Sequence, residues 1–254
     1  MLLEGKVILV VGAAGLLGRE IVNSVINEGG KVVAADINVE SLASLKDVFL
    51  LNSLEITEID ITKKESVIAA IDFCIKTFSR IDGAVNASYP RNKNYGKHFF
   101  DVSFDSFSEN LSLHLGGAFL LTQQCAAYFN SNRNSFSLVN ISSIYGVISP
   151  KFEVYNNTKM TMPVEYAAIK SAILHLNKYV VSYIKDSRFR VNSVSPGGIF
   201  DHQPESFLKA YKDRTHGAGM LDVKEVAGSV LFLLSEQSRY ITGQNIIIDD
   251  GFSL

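Results

Sequence analysis

The chain has only two cysteines in 254 residues, Cys74 and Cys125. They cannot build a disulfide framework, and their spacing is not that of metal ligands. Both lie in helix-like segments and read as small core residues. Charge of one sign is equally scarce: 24 Lys and Arg stand against 26 Asp and Glu, a formal net charge of −2. That balance gives no electrostatic drive toward DNA or RNA. No apolar run reaches the roughly 18 residues that a membrane span needs. The first segment, "MLLEGKVILVVG", lacks the basic leader of a signal peptide and reads as a buried strand. Internal repeats, low-complexity tracts and linkers are missing too. These absences leave a globular, cytoplasmic protein with no metal site expected. Its 47% hydrophobic and 20% charged residues suit a sizeable core, and α/β folds often run to this length undivided.

What is present is alternation. Short β-branched apolar runs fall at 6–11, 31–36, 53–60, 82–88, 136–142, 189–195 and 244–250, with helix-like segments between them. Unbroken apolar strands alternating with helices predict a parallel sheet covered on both faces. The expected fold is one doubly wound α/β domain over residues 1–254. Two stretches break the rhythm: 89–100, rich in Asn, Lys and Tyr, and 150–163.

The first strand runs into "GAAGLLG", with Gly12, Gly15 and Gly18 three apart. Glycines there permit a tight turn and let the backbone approach a pyrophosphate at a helix N-terminus. Asp36 ends the second strand, where a carboxylate can accept hydrogen bonds from both ribose hydroxyls of NAD and repel the extra phosphate of NADP. Ile37 follows, so no arginine is at hand for that phosphate. The other reading of Asp36 is a simple cap of the next helix. Asp60, ending the third strand, lies beside the adenine or caps a helix; the sequence leaves both open.

The stretch "YNNTKMTMPVEYAAIK" (155–170) holds two Tyr–Lys pairs four residues apart. Tyr166 and Lys170 open a strongly periodic segment, with Ile169, Ile173, Leu176, Val180 and Ile184 at helical spacing. On a helix the two project from one face. Tyr155 and Lys159 have no apolar stripe to fix their geometry. Tyrosine, with a reference pKa of about 10, needs help to serve as a base. A neighbouring ammonium and an oxidised nicotinamide would supply it. Tyr166 is therefore the candidate acid–base and Lys170 its partner, with a serine of "NISSIYG" positioning the same oxygen.

The segments "GAAGLLG", "NISS", "YAAIK", "VNSVSPGGI" and "YITGQNIIIDDG" resemble, in order and spacing, the signature of the short-chain dehydrogenase/reductase family over nearly the whole chain. The resemblance implies a Rossmann-type sheet of about seven strands, NAD(P)-dependent oxidation or reduction, and a homodimer or homotetramer. It implies that Gly12, Gly15, Leu17 and Gly18 flank the pyrophosphate. Asp36 would hold the adenosine ribose, and Asp60 with Ile61 would border the adenine. Asn86 and Ala87 would follow the cofactor, and Pro196, Gly197 and Ile199 would wrap the nicotinamide. Ser143, preferred to Ser142, joins Tyr166 and Lys170 as the catalytic set.

The departures from the family pattern carry information. The glycine spacing is two and two instead of three and one, and Ser88 stands where the family has glycine. Asp201 replaces a threonine. His114 falls on the family's catalytic asparagine, either as a titratable member of the proton relay or as a packing residue. Ser143 and Tyr166 are 23 apart instead of about 13, so 151–163 reads as an insertion beside the substrate cleft. Arg91, Lys93, Lys97, Lys151 and Lys159, with His202, Lys209, Lys212, Arg214 and His216, belong to segments expected near that cleft. They suggest an anionic sugar phosphate or nucleotide sugar, or are simply solvated. The loops also resemble those of family members from surface-sugar and flagellin-glycan pathways. The expected function is NAD-dependent interconversion of a secondary alcohol and a ketone. The rival readings are a dinucleotide-binding sensor or scaffold, and a reductase running on NADPH.

Overall fold

A computed structural model describes residues 1–46 and 52–254. Seven strands form one sheet: β1 (Val7–Val11), β2 (Lys31–Asp36), β3 (Leu54–Glu58), β4 (Gly83–Asn86), β5 (Phe136–Ile141), β6 (Phe189–Pro196) and β7 (Asn245–Ile248). Their order is β3-β2-β1-β4-β5-β6-β7, and every pairing is parallel. The order reverses between β1 and β4, which opens a crevice at the carboxyl ends of the strands.

The helices are α1 (Leu16–Asn27), α2 (Val39–Lys46), α3 (Lys64–Phe78), α4 (Phe104–Asn110), α5 (Gly116–Asn132), α6 (Val164–Ile184), α7 (Glu205–Lys212) and α8 (Val223–Leu234). Between β4 and β5, α4 and α5 are joined by a π-helical turn, Leu111–Leu115. All five residues of β1 are buried, because both faces of the sheet are covered. On one side Ile8 and Val10 pack with Ile21 and Val25 of α1 and Val226 and Val230 of α8. On the other, Leu9 and Val11 meet Val67 and Cys74 of α3 and Leu121, Cys125 and Phe129 of α5. Both cysteines are therefore core residues. A third cluster sits above the strand ends, where Tyr145, Val154 and Tyr155 pack with Phe207 and Tyr211 of α7 and with Phe252. No helix among the described residues is long and apolar enough to cross a membrane.

A polar thread runs through the sheet. Asn86, Asn140 and Ser193 lie in register on β4, β5 and β6. The Asn86 amide donates to Asn140 Oδ1 (3.2 Å), Asn140 to Asn177 Oδ1 of α6 (2.9 Å), and Asn177 to Ser193 Oγ (2.6 Å). All four residues are buried, so each group finds inside the protein the partner that water would have provided. Asn177 lies eleven residues from Tyr166, three helical turns along the same face. Replacing Asn177 by Leu strands the Asn140 donor and the Ser193 hydroxyl, at about 1–3 kcal/mol each. Thermal unfolding of Asn177→Leu is expected about 4 °C or more below wild type; a shift under about 1 °C would show that the thread carries little stability.

Candidate active site

The crevice holds two clefts. The smaller, about 400 Å³, is walled by Gly12, Gly15, Asp36, Asp60 and Ile61; the larger, about 470 Å³, by Leu17, Ser143, Tyr166, Lys170, Pro196, Gly197 and Ile199, among others. Ala87, Ser88 and Tyr89 line both and form the threshold between them.

The glycines at the smaller cleft do different work. Gly12 has φ +81°, and a Cβ there would lie 2.6 Å from the Ala87 carbonyl carbon. A Cβ at Gly18 would lie 2.1 Å from the Gly12 carbonyl oxygen. These two permit the turn and the close packing of α1. A Cβ at Gly15 meets only the Gly12 oxygen at 3.4 Å, so the fold itself leaves room there on the cleft wall. Gly15 begins α1 with no side-chain cap, which leaves first-turn amides for an anionic ligand.

Asp36 does not act as the cap of the next helix; Asn38 Oδ1 accepts from Ser41 N (3.1 Å) in that place. The Asp36 carboxylate accepts from Ala14 N and Asn38 N, both at 3.0 Å, and ties the end of β2 to the glycine turn. Arg19 is committed to Ala14 O, Ser41 O and Ser44 Oγ. Asp60 accepts from the Thr62 amide (3.0 Å) and hydroxyl (2.6 Å) and pairs with Lys63 (3.1 Å). The Thr62 hydroxyl is the chief cause of its lowered pKa. Asp60 thus organises the turn into α3 and also stands on the cleft wall. Asn86, expected beside the cofactor, turns its side chain inward to Asn140 and accepts from the Ser88 hydroxyl (2.6 Å).

In the larger cleft, the turn after β5 and the start of α6 converge. Ser142 donates to the Lys170 carbonyl (2.9 Å) and so faces the helix backbone. Ser143 lines the cleft beside Tyr166, near enough for its hydroxyl to favour the ionised phenol. The expected lowering of the Tyr166 pKa is not what this structure shows: desolvation raises it and outweighs the Ser143 hydrogen bond. Burial likewise depresses Lys170 to about 7. Its Nζ donates to the Ile141 carbonyl (2.7 Å) and lies 5.5 Å from the centre of the Tyr166 ring. Burial carries His114 down to about 2, with the Lys170 charge adding to the effect. The expected titratable relay group is therefore a neutral imidazole, set edge-on to Tyr89 at 5.1 Å.

The cationic rim is also corrected. Among the described residues lining the larger cleft, the only charged ones are Lys170 and Asp201. Lys151 donates to the Phe252 carbonyl, Arg214 pairs with Glu153 (3.0 Å), and Arg91 stacks over Tyr89. Lys93, Lys97, Lys159, His202, Lys209, Lys212 and His216 line neither cleft. Tyr155, the member of the other Tyr–Lys pair, is buried on the cleft wall, whereas Lys159 is exposed. Sequence reasoning missed Tyr89, whose ring meets Tyr166 at 5.6 Å. It also missed Tyr145, two residues past Ser143 in a turn already singled out.

A family model described as enoyl-(acyl carrier protein) reductase matches residues 12–253. Flagellin modification protein A of Campylobacter coli is 38% identical over 257 residues, covering 100% of both chains. A 3-oxoacyl-[acyl-carrier-protein] reductase of Thermotoga maritima is 30% identical, covering 99% of each. Among solved structures, a short-chain dehydrogenase from Leptospira borgpetersenii with bound NAD⁺ superposes with TM-score 0.85 at 29% identity, covering 99% of this chain and 94% of that one.

The depressed Lys170 sets a pH signature. The unfolded chain keeps this proton to its ordinary value of 10.5 and the folded chain only to about 7. Folding therefore opposes the charge fully below pH 7, and the penalty fades as pH rises toward 10.5. Relative to wild type, Lys170→Met should gain melting temperature steadily as pH is lowered from about 10 to 7, then level off. A gap independent of pH would contradict the assignment.

Proposed function

The chain belongs to the short-chain dehydrogenase/reductase family of oxidoreductases, and on that premise we propose an NAD-dependent enzyme that interconverts a secondary alcohol and a ketone on a sugar derivative of surface or flagellin glycans. The observation that carries the reading is the convergence of Ser143, Tyr166 and Lys170 on one wall of the larger cleft. Tyr166 gives or takes the hydroxyl proton at the reacting oxygen, a role that typically contributes about 10²–10⁴-fold. Ser143 donates a second hydrogen bond to the same oxygen. Lys170 holds the nicotinamide ribose and opposes the negative charge of the phenolate. When bound, the nicotinamide supplies the hydride acceptor or donor and, oxidised, a positive charge that favours ionisation of the buried phenol.

The dinucleotide fits the chain on its own geometry. Gly12 and Gly18 shape the turn, Gly15 leaves room for the pyrophosphate, and the two clefts meet at Ala87. Asp36 lines the adenosine side with Asp60 and Ile61, while Pro196, Gly197 and Ile199 flank the nicotinamide side. NAD is favoured over NADP because Asp36 is an anion with exposed Ile37 after it and because Arg19 is engaged elsewhere. His114, neutral and in the π-helical turn, acts through its backbone or by packing; such turns collect at functional sites. The sugar assignment draws on the relative named for flagellin modification. The apolar groove of Leu111, Leu115, Phe119, Leu176 and Tyr179 suits a homodimer or homotetramer. The two free, buried cysteines accord with a cytoplasmic location.

Titration with NADH and NADPH, followed by nicotinamide fluorescence, tests the cofactor. NADH should bind at least about tenfold more tightly, about 1.4 kcal/mol, and Asp36→Ala should erase the preference. Tight NADPH binding by the wild type, unchanged by Asp36→Ala, would contradict the assignment.

A further inference from the structure

The strap 151–163 contributes Tyr155, Met160, Thr161, Met162 and Pro163 to the wall of the larger cleft. It is a fixed wall. Val154 and Tyr155 are buried, and the Tyr155 ring packs on Phe207 of α7 at 5.3 Å. Arg214 holds Glu153, and Lys151 reaches the Phe252 carbonyl. The strap thereby brings the Tyr155 hydroxyl to that of Tyr145, 3.4 Å away. Tyr145 and Tyr155 line the same cleft as Tyr166.

Three substrate classes meet this wall differently. A largely hydrocarbon ligand, such as a steroid or an acyl chain, would cover two hydroxyls whose mutual bond, at 3.4 Å, is long. A phosphate or carboxylate would enter a cleft whose single cation among the described residues, Lys170, already serves Ile141 and Tyr166, and whose other charge is the like-signed Asp201. A neutral ring bearing several hydroxyls satisfies the tyrosine pair and rests its C–H face on Met160 and Met162. Resting on the proposed function, we propose that the Tyr145–Tyr155 hydroxyl pair is a specificity site for an uncharged, polyhydroxylated ring.

The test is a saturation-transfer NMR titration, with and without NADH, using aldohexoses, the matching hexose 1-phosphates and cyclohexanol as probes. Wild type should bind at least one aldohexose more tightly than its 1-phosphate and than cyclohexanol. Tyr155→Phe should weaken that binding about five- to tenfold, with NADH affinity unchanged as the control for folding. Equal binding of the phosphate or of cyclohexanol, no aldohexose binding at all, or a Tyr155→Phe protein indistinguishable from wild type would overturn the proposal. Failure of NADH to bind contradicts the dinucleotide reading instead, and the titrations without NADH still decide the sugar site.

Discussion

Everything at the candidate site depends on how closely α6 is fastened to the end of β5. A Cβ at Gly146, in the turn after that strand, would lie 2.7 Å from the Lys170 carbonyl carbon, so only glycine allows the approach. Ser142 bonds the Lys170 carbonyl, Lys170 Nζ bonds the Ile141 carbonyl, and two turns on Asn177 is clasped by Asn140 and Ser193. One helix face is thus stitched to two strands by side chains that have no alternative partner in water. Tyr166 hangs over the crevice from the first turn of that helix because the rest of the helix cannot shift.

The same closeness sets the electrostatics. Drawing Tyr166 and Lys170 out of water penalises both charged forms: the phenol rises and the ammonium falls to about 7. Neither group is a ready-made base or cation by itself. Ionisation of one needs the charge of the other, and positive charge from a bound nicotinamide strengthens the pair. The chemistry is therefore coupled to occupancy of the cleft. His114 stays neutral beside Lys170 for the same reason.

Local patterns made much of this legible. The apolar runs marked the strands, most plainly β1, where cover on both faces keeps all five residues apolar and buried. The apolar periodicity separated Tyr166–Lys170 from Tyr155–Lys159, because only the first pair sits on a periodic helix. Tertiary placement was not legible. The loop cations looked like a rim, yet Arg214, Arg91 and Lys151 spend their charge on Glu153, Tyr89 and Phe252. Glu165, in the first turn of α6, is fully buried, with Asn110 on one oxygen and no hydrogen-bond partner on the other, a burial that no local pattern announces. The pairing of Tyr145 with Tyr155 depends on the path of the strap, and the Asn86–Asn140–Ser193 row on sheet register. Neither follows from periodicity. The direction of the Tyr166 shift depends on burial, which spacing does not reveal.

The most direct test of the central claim is to compare Tyr166→Phe with wild type for NADH binding and for NAD-dependent turnover of a hydroxylated substrate. The account predicts turnover reduced about 10²-fold or more, with NADH affinity within about twofold. Turnover that survives the loss of the phenolic hydroxyl would contradict it.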